Sequence, residues 1–372
     1  MRFRFESFGA IISLKEPPYL VYVDRNFIKE RGFDGGKIWE EESNYLAAPV
    51  EVHLDLTKKC NFNCSYCYSS SKIDGEELPF ELGKKIIDKL RDIGAFRIAF
   101  GGGEPLTYKY IFELAEYADN LEVLPSLTTN GSLINDENIN RFKVFQRVNI
   151  SLDINSENLG RDGDINSLLP KFKKLNKIGV RSGANFVVTK LNYEKLSEFV
   201  KIVKDNGGDS ILILRLKPYG RGIKNYNELK LTKKQNVELI PLCIDLSLKY
   251  NIPIEIDCSF LPNTLYHKPD KKNLENLACL GCSAGDYLIS IDEKGFVHPC
   301  SFLPQIISYF ENLDKVWDSD DTFIKLRNFE KEPCISCYGL SLCKGGCHLI
   351  SYFYYKDYFL PDPECPIVSE KI

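Results

Sequence analysis

The chain has 372 residues, 44% of them hydrophobic, which is enough for one large core and a smaller appended unit. Its formal net charge of −4 excludes the basic surface that a general affinity for nucleic acid or anionic lipid requires. Its start lacks an apolar signal segment, and no apolar run reaches the roughly 18 residues of a membrane span. The sequence therefore predicts a cytoplasmic protein without nucleic-acid or membrane partners.

Strand-like and helical patterns alternate along most of the chain. Residues 1–47 contain three strand-like segments and predict a small β-rich lead-in. In the predicted core, residues 48–230, six apolar segments alternate with helical patterns such as 79–94 and 196–207; they lie at 50–56, 97–100, 122–130, 147–153, 184–189 and 210–218. This order predicts right-handed βαβ units and a parallel sheet. An open doubly wound sheet and a partial barrel both fit, and both place their chemistry at the carboxyl ends of the strands.

The cysteines are distributed unevenly. Three of the 13 lie within eight residues, and eight follow position 278. In a reducing compartment, clustered cysteines serve as metal ligands and not as disulfides. A helical pattern (232–251) and a strand-like segment (254–260) form a predicted bridge, residues 231–275, to a cysteine-rich domain, residues 276–372. Cys243 and Cys258 lie outside the clusters in apolar segments, and we interpret both as small buried residues.

The first cluster is Cys60, Cys64 and Cys67, which directly follow the first strand of the predicted core. Spacings of three and two residues allow three thiolates to converge on one soft metal centre. Three protein ligands leave one iron of a four-iron cluster open, which a cluster needs if it is to bind and activate a substrate. A zinc knuckle that lacks its fourth ligand, or three packed thiols, is the alternative.

This CxxxCxxC spacing, with the aromatic Tyr66 before the last cysteine, resembles the signature of the radical S-adenosylmethionine (SAM) superfamily. In that family the three cysteines hold a 4Fe–4S cluster, and the amino and carboxylate groups of SAM chelate its fourth iron. One-electron reduction then cleaves SAM to methionine and a 5′-deoxyadenosyl radical. The resemblance implies a partial (β/α)6 TIM-like barrel, a catalytic role for the three cysteines, and an electron donor such as ferredoxin or flavodoxin.

Three later strand ends resemble motifs of the same family: a GGGEP loop, a TTNG segment and an SLD segment. Glycines permit close approach of the backbone, and a polar group there can bind the methionyl ammonium. Ser151 either contacts the ribose or carboxylate of SAM or is only a strand-end hydroxyl, and Arg221 in a Gly-Arg-Gly turn is either functional or a surface arginine. The resemblance implies SAM-binding residues Tyr66, Gly101, Gly102, Gly103, Glu104, Pro105, Thr129, Asn130, Ser151 and Asp153.

The C-terminal cysteines resemble a SPASM domain, an auxiliary-cluster module of peptide- and protein-modifying radical SAM enzymes. The resemblance rests on Gly295-x4-Cys300 and on the x2, x5, x3 spacing from Cys334 to Cys347. Structural zinc is the alternative. The resemblance implies two auxiliary 4Fe–4S clusters. Our hypothesis is that they accept an electron; the alternative is that they bind a substrate thiol. Their implied ligands are Cys282, Cys300 and Cys347, with Cys279 as candidate fourth, and Cys334, Cys337, Cys343 and Cys365.

The resemblance favours a peptide or protein substrate. Sulfatase maturases of this family commonly have a catalytic aspartate directly after the cysteine equivalent to Cys300, and the Ser301 found here counts against that reaction. The 47 residues before the core are also too short for the winged-helix domain with which many maturases recognise peptides. Tailoring of a small molecule, such as a tetrapyrrole or quinone precursor, is the first alternative. An electron-carrying iron–sulfur protein is the second, although it needs no open iron.

Overall fold

The computed structural model describes residues 1–40, 43–154, 161, 163–276 and 279–369. The strands are β1 (Arg2–Glu6), β2 (Gly9–Leu14), β3 (Tyr19–Asp24), β4 (Glu51–Thr57), β5 (Arg97–Gly102), β6 (Leu124–Thr129), β7 (Arg147–Ser151), β8 (Arg181–Val188), β9 (Ser210–Arg215), β10 (Ile254–Ile256), β11 (Leu288–Ile291), β12 (Phe296–His298) and β13 (Ser308–Tyr309). The helices are α1 (Arg25–Lys29), α2 (Lys37–Glu40), α3 (Phe80–Asp92), α4 (Ile111–Asn120), α5 (Ile165–Leu168), α6 (Pro170–Lys177), α7 (Leu196–Asp205), α8 (Gly222–Leu229), α9 (Lys233–Tyr250), α10 (Leu261–Tyr266), α11 (Lys271–Asn276), α12 (Leu313–Val316), α13 (Asp321–Arg327), α14 (Leu340–Cys343), α15 (His348–Tyr355) and α16 (Pro366–Ser369).

The N-terminal strands β1, β2 and β3 form a separate antiparallel sheet, as the sequence predicts for the lead-in. Arg4 attaches this sheet to the core: its Nη1 donates to the carbonyls of Pro49 and Gly94, both at 3.0 Å. Glu6 accepts from the same arginine through a 2.6 Å ion pair. The lead-in is thereby fixed at the amino end of β4, away from the carboxyl ends of the core strands.

The core is a sheet of six parallel strands, β4 to β9, that lie side by side in chain order. All six predicted strands are present. Alternate side chains of β4, namely Val52, Leu54 and Leu56, are fully buried against the surrounding helices. That alternation directs the intervening side chains to the inner face of a partial barrel. The carboxyl ends of the six strands therefore meet at one rim, as the βαβ pattern predicts.

The sheet continues beyond the predicted strands at both edges. Strand β10 pairs in parallel with β9, and β11 pairs in parallel with β4, followed by antiparallel β12 and β13. The bridge adds one strand and the cysteine-rich region adds three, so the core sheet has ten strands. The predicted strand 254–260 ends at Ile256, because Asp257 accepts a 2.8 Å bond from the backbone N–H of Ser259 and begins a 3-10 turn.

Across the part of the chain that the structure describes, no helix combines the length and the apolar character needed to span a membrane. The longest, α9, has 18 residues and begins with a capping box between Thr232 and Gln235. It contains Pro241 and packs against α7 and α10 on the outside of the barrel. It matches the predicted helix of the bridge.

Candidate active site and cluster-binding cysteines

Cys60, Cys64 and Cys67 lie in the loop that follows β4, at the carboxyl rim of the barrel. The loop folds on itself: the N–H of Cys67 donates to the carbonyl of Cys64 at 3.3 Å, and the N–H of Cys60 donates to that of Lys72 at 2.8 Å. Burial raises the pKa of the Cys60 thiol to about 11, and the nearby Glu104, Cys64 and Cys67 charges add to this shift. Without a nearby positive charge, the Cys60 sulfur is therefore a neutral thiol at ordinary pH.

Arg221 fixes this cysteine loop in place. Its Nε donates to the carbonyl of Cys64 at 2.8 Å, and its Nη1 donates to the carbonyl of Ser71 at 2.7 Å. Its backbone N–H donates to the carbonyl of Cys67 at 2.9 Å. The preceding Gly220 has a φ of 58°, and a side chain there would lie 2.2 Å from the carbonyl oxygen of Tyr68. Arg221 is thus a loop-positioning residue and not a surface arginine of a simple turn.

The GGGEP loop is packed against the start of the cysteine loop. A side chain at Gly102, whose φ is 111°, would lie 2.4 Å from the carbonyl oxygen of Thr57, and one at Gly103 would lie 2.0 Å from that of Lys59. The N–H of Gly103 donates to Thr57 at 2.7 Å. Glycine is required here because two backbone segments touch. The contact sets the distance between the predicted SAM-binding loop and the three cysteines.

Glu104 joins the GGGEP loop to the TTNG segment. It is completely buried, and its carboxylate accepts 2.6 Å bonds from the hydroxyl of Thr129 and the N–H of Asn130. The N–H of Leu106 donates to the same carboxylate at 3.0 Å. Burial raises the pKa of Glu104, although these three donors act in the opposite direction. The structure therefore brings together three of the predicted SAM-binding residues, and the carboxylate retains acceptor capacity for one more donor.

Ser151 ends β7 and pairs in register with Asn185 of β8. The side-chain oxygen of Asn185 is buried and has no hydrogen-bond partner among the described residues. An unpaired buried amide is costly unless a ligand pairs with it. We therefore assign Asn185 to the site. The sequence places it as the single polar side chain within the apolar segment 184–188, a signal that sequence analysis did not use.

Arg161 connects the SLD segment to the cysteine loop. Its Nη2 donates to the carbonyl of Ser151 at 2.5 Å, its Nη1 donates to the hydroxyl of Tyr66 at 3.4 Å, and its guanidinium lies 5.5 Å from the ring centroid of Phe62. Tyr66 is buried, and so is Asp153, which accepts from Asn192 at 3.5 Å. Arg161 belongs to no predicted motif, so only the structure identifies it.

The cysteines of the C-terminal region form two groups. Cys282, Cys300 and Cys347 pack around the buried Leu303 and Leu349, and burial raises the pKa of Cys300 to about 12, with the Cys282 and Cys347 charges adding to the shift. The second group lines one cavity together with Leu265 and Val368, and consists of Cys334, Cys337, Cys343 and Cys365. The structure therefore brings together the two predicted sets, apart from Cys279.

Cys279 lies outside the first group. It packs in a small apolar cluster with Leu261, Leu274, Leu342 and Cys343, and its N–H donates to the carbonyl of Leu274 at 2.9 Å. Burial raises the pKa of its thiol, with no charged group contributing. Its neighbours are thus apolar side chains and a cysteine of the second group.

A proton-carrying chain follows Cys300. The hydroxyl of Ser301 lies 2.9 Å from Nδ1 of His53, and Nε2 of His53 lies 3.2 Å from the carboxylate of Glu51. His53 and Glu51 are alternate residues of β4, so both side chains project from the inner face of the sheet. This arrangement can hold or transfer a proton beside the first group of C-terminal cysteines.

Residues 54–205 match the family model described as Radical SAM superfamily. The chain therefore contains a radical SAM domain, and its maturase relatives identify it as an enzyme. It is 28% identical to mycofactocin maturase MftC of Mycolicibacterium smegmatis over 88% of this chain and 86% of the relative. It is 26% identical both to the AdoMet-dependent heme synthase of Methanosarcina barkeri and to the PqqA peptide cyclase of Bradyrhizobium diazoefficiens; these alignments cover 86% of this chain and, respectively, 96% and 86% of the relatives.

The fold of this radical SAM enzyme is similar along almost its whole length to that of Streptococcus suis SuiB bound to its precursor peptide SuiA. The TM-score is 0.76 with 21% identity, and the match covers 98% of each chain. The similarity extends from the N-terminal sheet through the partial barrel to the cysteine-rich region. It confirms the fold class that the sequence predicts.

A radical SAM domain implies a 4Fe–4S cluster and SAM. Three thiols and one buried, unpaired amide oxygen are present at the rim, next to glycines that leave space, and these residues fit both groups. Within the described ranges, no three His, Cys, Asp or Glu side chains are grouped closely enough to bind a single metal ion.

Proposed function

We propose that this radical SAM enzyme modifies a peptide or protein. The cluster held by Cys60, Cys64 and Cys67 would cleave SAM reductively and supply a 5′-deoxyadenosyl radical, which removes hydrogen from an unactivated carbon of the substrate. The observation that carries the proposal is the meeting of the three-cysteine loop, the Glu104 carboxylate and the unpaired Asn185 amide at one barrel rim. The similarity to PqqA peptide cyclase and to SuiB in complex with a peptide supports the substrate class.

The chain's own residues would orient SAM and exclude water. Glu104 and Asn185 offer oxygen acceptors to the ammonium and to hydroxyl groups of SAM, while Ser151 lies in the adjacent register position. The rings of Tyr68 and Phe302 meet edge to face at 4.8 Å, which joins the cysteine loop to the segment after Cys300. This aromatic contact covers the rim from the C-terminal side, and a dry site protects a radical from competing hydrogen donors.

The C-terminal cysteine groups would hold two auxiliary 4Fe–4S clusters that accept the electron left on the substrate after hydrogen removal. Seven of the eight predicted ligands already lie in two groups that match the family's sets. The four cysteines of the second group line one cavity in a small apolar region, and a cluster bound there would fill it and add folding free energy. A ferredoxin or flavodoxin would reduce the SAM-cleaving cluster.

The first test is anaerobic incubation of the reconstituted enzyme with SAM and dithionite. We expect 5′-deoxyadenosine, and we expect none from a Cys60→Ala, Cys64→Ala or Cys67→Ala variant. Cys243→Ala is the matched control, because Cys243 is buried in the apolar core away from the rim. Absence of 5′-deoxyadenosine from the unaltered enzyme would contradict the proposal. Mass spectrometry of short peptides encoded beside the gene, after the same reaction, tests the substrate class.

Tailoring of a tetrapyrrole is the second candidate, and the heme synthase among the relatives favours it. The two candidates differ in what the enzyme binds. Titration with an iron porphyrin, followed by absorbance, should leave the spectrum unchanged if the substrate is a peptide. A stoichiometric shift of the porphyrin band, together with its chemical conversion in the presence of SAM, would favour the second candidate.

A further inference from the structure

Cys258, which the sequence pattern leaves outside both C-terminal groups, lies at the carboxyl rim of the barrel. It begins the 3-10 turn after β10, directly behind Asp257, whose N–H donates to the carbonyl of Ile213 in β9 at 3.0 Å. The residue is exposed, contrary to its interpretation as a small buried residue.

A chain of hydrogen bonds connects the turn of Cys258 to Cys347. Nη1 of Arg215 donates to the carbonyl of Ser259 at 3.0 Å and to the carboxylate of Asp362 at 2.6 Å. The same oxygen of Asp362 accepts from the backbone N–H of Cys347 at 3.2 Å. Ser259 and the backbone of Cys347 are thus held by one guanidinium and one carboxylate, and Ser259, Arg215 and Asp362 are buried.

Lys217 makes a second connection, towards Cys300. Its Nζ donates to the hydroxyl of Ser259 at 2.8 Å and lies 3.5 Å from the carboxylate of Asp257. The ammonium lies 5.0 Å from the ring centroid of Phe302, two residues after Cys300. Lys217 is 7% exposed, so its charge acts in a site of low dielectric. The turn of Cys258 and the segment of Cys300 therefore share one buried cation.

The turn of Cys258 thus lies beside the first group of C-terminal cysteines, next to the backbone of Cys347 and the segment that follows Cys300. Cys279 instead packs with Leu274 and with Cys343 of the second group.

We propose that Cys258 is the fourth thiolate ligand of the auxiliary cluster held by Cys282, Cys300 and Cys347. The inference rests on the proposed function, because it requires that this group of cysteines holds a 4Fe–4S cluster. On binding, the Cys258 thiol loses its proton to solvent and forms one iron–sulfur bond. A cluster with four protein ligands has no open iron, so it accepts electrons and does not bind a substrate thiol.

The experiment compares Cys258→Ala with Cys279→Ala in the reconstituted full chain. The unaltered enzyme should contain about twelve irons. In Cys258→Ala, we expect the loss of about one iron on mild oxidation, with the EPR signal of a three-iron cluster, and a shifted midpoint potential for one auxiliary cluster. Cys279→Ala should retain the iron content and the potentials of the unaltered enzyme. A one-iron loss in Cys279→Ala, or an unchanged Cys258→Ala, would overturn the inference.

Cys258→Ser keeps the side-chain volume and tests the inference if the alanine variant folds poorly. A serine oxygen can replace the thiolate, so this variant should retain four irons in that cluster and show altered EPR g values; unaltered g values would overturn the inference. Formation of 5′-deoxyadenosine in both variants shows that the barrel has folded. If the unaltered enzyme holds only about four irons, the auxiliary clusters of the proposed function are absent, and the inference falls with them. About twelve irons with an unaffected Cys258→Ala overturns the inference alone.

Discussion

Arg215 and Asp362 form a buried ion pair, 2.6 Å between Nη1 and Oδ2, that joins the end of β9 to the C-terminal cysteine region. Arg215 is 7% exposed and Asp362 is fully buried. The carboxylate of Glu364 lies 2.9 Å from the same guanidinium. Burial alone would raise the pKa of Glu364, but this cation lowers it to about 2. Because Asp362 also accepts from the N–H of Cys347, one pair couples the barrel to a proposed cluster ligand.

Asp362→Ala should destabilise the enzyme strongly. It leaves the Arg215 guanidinium buried with half of its partners, and breaking a buried pair in this way costs about 3–5 kcal/mol. We expect a lower thermal midpoint and reduced iron in the C-terminal clusters of the reconstituted protein. Asp205→Ala is the control, since its ion pair with Lys201 is exposed, and it should change neither quantity. Equal effects of the two variants would contradict this role of the pair.

Arg221→Lys should impair the SAM-cleaving cluster although the charge is kept. A lysine cannot donate to the carbonyls of Cys64 and Ser71 at once, because it lacks the fork of the guanidinium. Losing one charge-assisted hydrogen bond costs about 1.5–3 kcal/mol, so 5′-deoxyadenosine formation should fall at least about tenfold. Lys224→Ala, on the exposed face of the following helix, should keep the full rate. A normal rate in Arg221→Lys would show that the loop holds its shape without this clamp.

Asn185→Ala should weaken the binding of SAM without destabilising the fold. The amide oxygen has no partner among the described residues, so its removal breaks no hydrogen bond within the protein. Losing one bond to a ligand costs about 1–1.5 kcal/mol, and the Kd for SAM should therefore rise about tenfold. Equilibrium dialysis measures the Kd. Asn206→Ala, which removes an amide bonded within its own helix, is the control. An unchanged Kd in Asn185→Ala would show that the Asn185 amide does not bind SAM.

Glu104→Gln should show the effect of the carboxylate's hydrogen bonds, because the substitution hardly changes the volume of the side chain. The two side chains are nearly isosteric, but the new NH2 group faces the donors of Thr129, Asn130 or Leu106. One buried donor is then left opposite another donor, at a cost of about 1–3 kcal/mol. We expect a lower thermal midpoint together with weaker SAM binding. Glu81→Gln, on the exposed first turn of α3, should change neither.

Removal of the clusters should loosen the C-terminal region more than the barrel. Metal–thiolate bonds contribute folding free energy where the apolar core is small, as around the cavity lined by Cys334, Cys337, Cys343 and Cys365. In hydrogen exchange followed by mass spectrometry, apoprotein should exchange faster than holoenzyme over residues 334–365. The strands β5 to β8 should keep their protection. Equal protection of residues 334–365 in both forms would mean that this region folds without metal.

The sequence by itself determined the six core strands and the two kinds of cysteine cluster. The alternation of strand-like and helical patterns and the spacing from Cys60 to Cys67 are local patterns, because the interactions behind them act over a few residues. The same holds for the GGGEP loop, where Gly102 and Gly103 are needed for a close backbone contact. These features could therefore be predicted before any long-range contact was known.

Only the tertiary structure decided which distant residues serve the site. Arg221 contacts Cys64, which lies 157 positions away in the sequence. Asn185 lies at the site because it pairs in register with Ser151 on the neighbouring strand. The turn of Cys258 lies beside the segments of Cys300 and Cys347 because β10 pairs with β9 and an ion pair brings Asp362 to the same rim. Such contacts depend on packing and strand order, which no periodicity within a short segment encodes. The proposed fourth cluster ligand therefore comes from the fold and not from a motif.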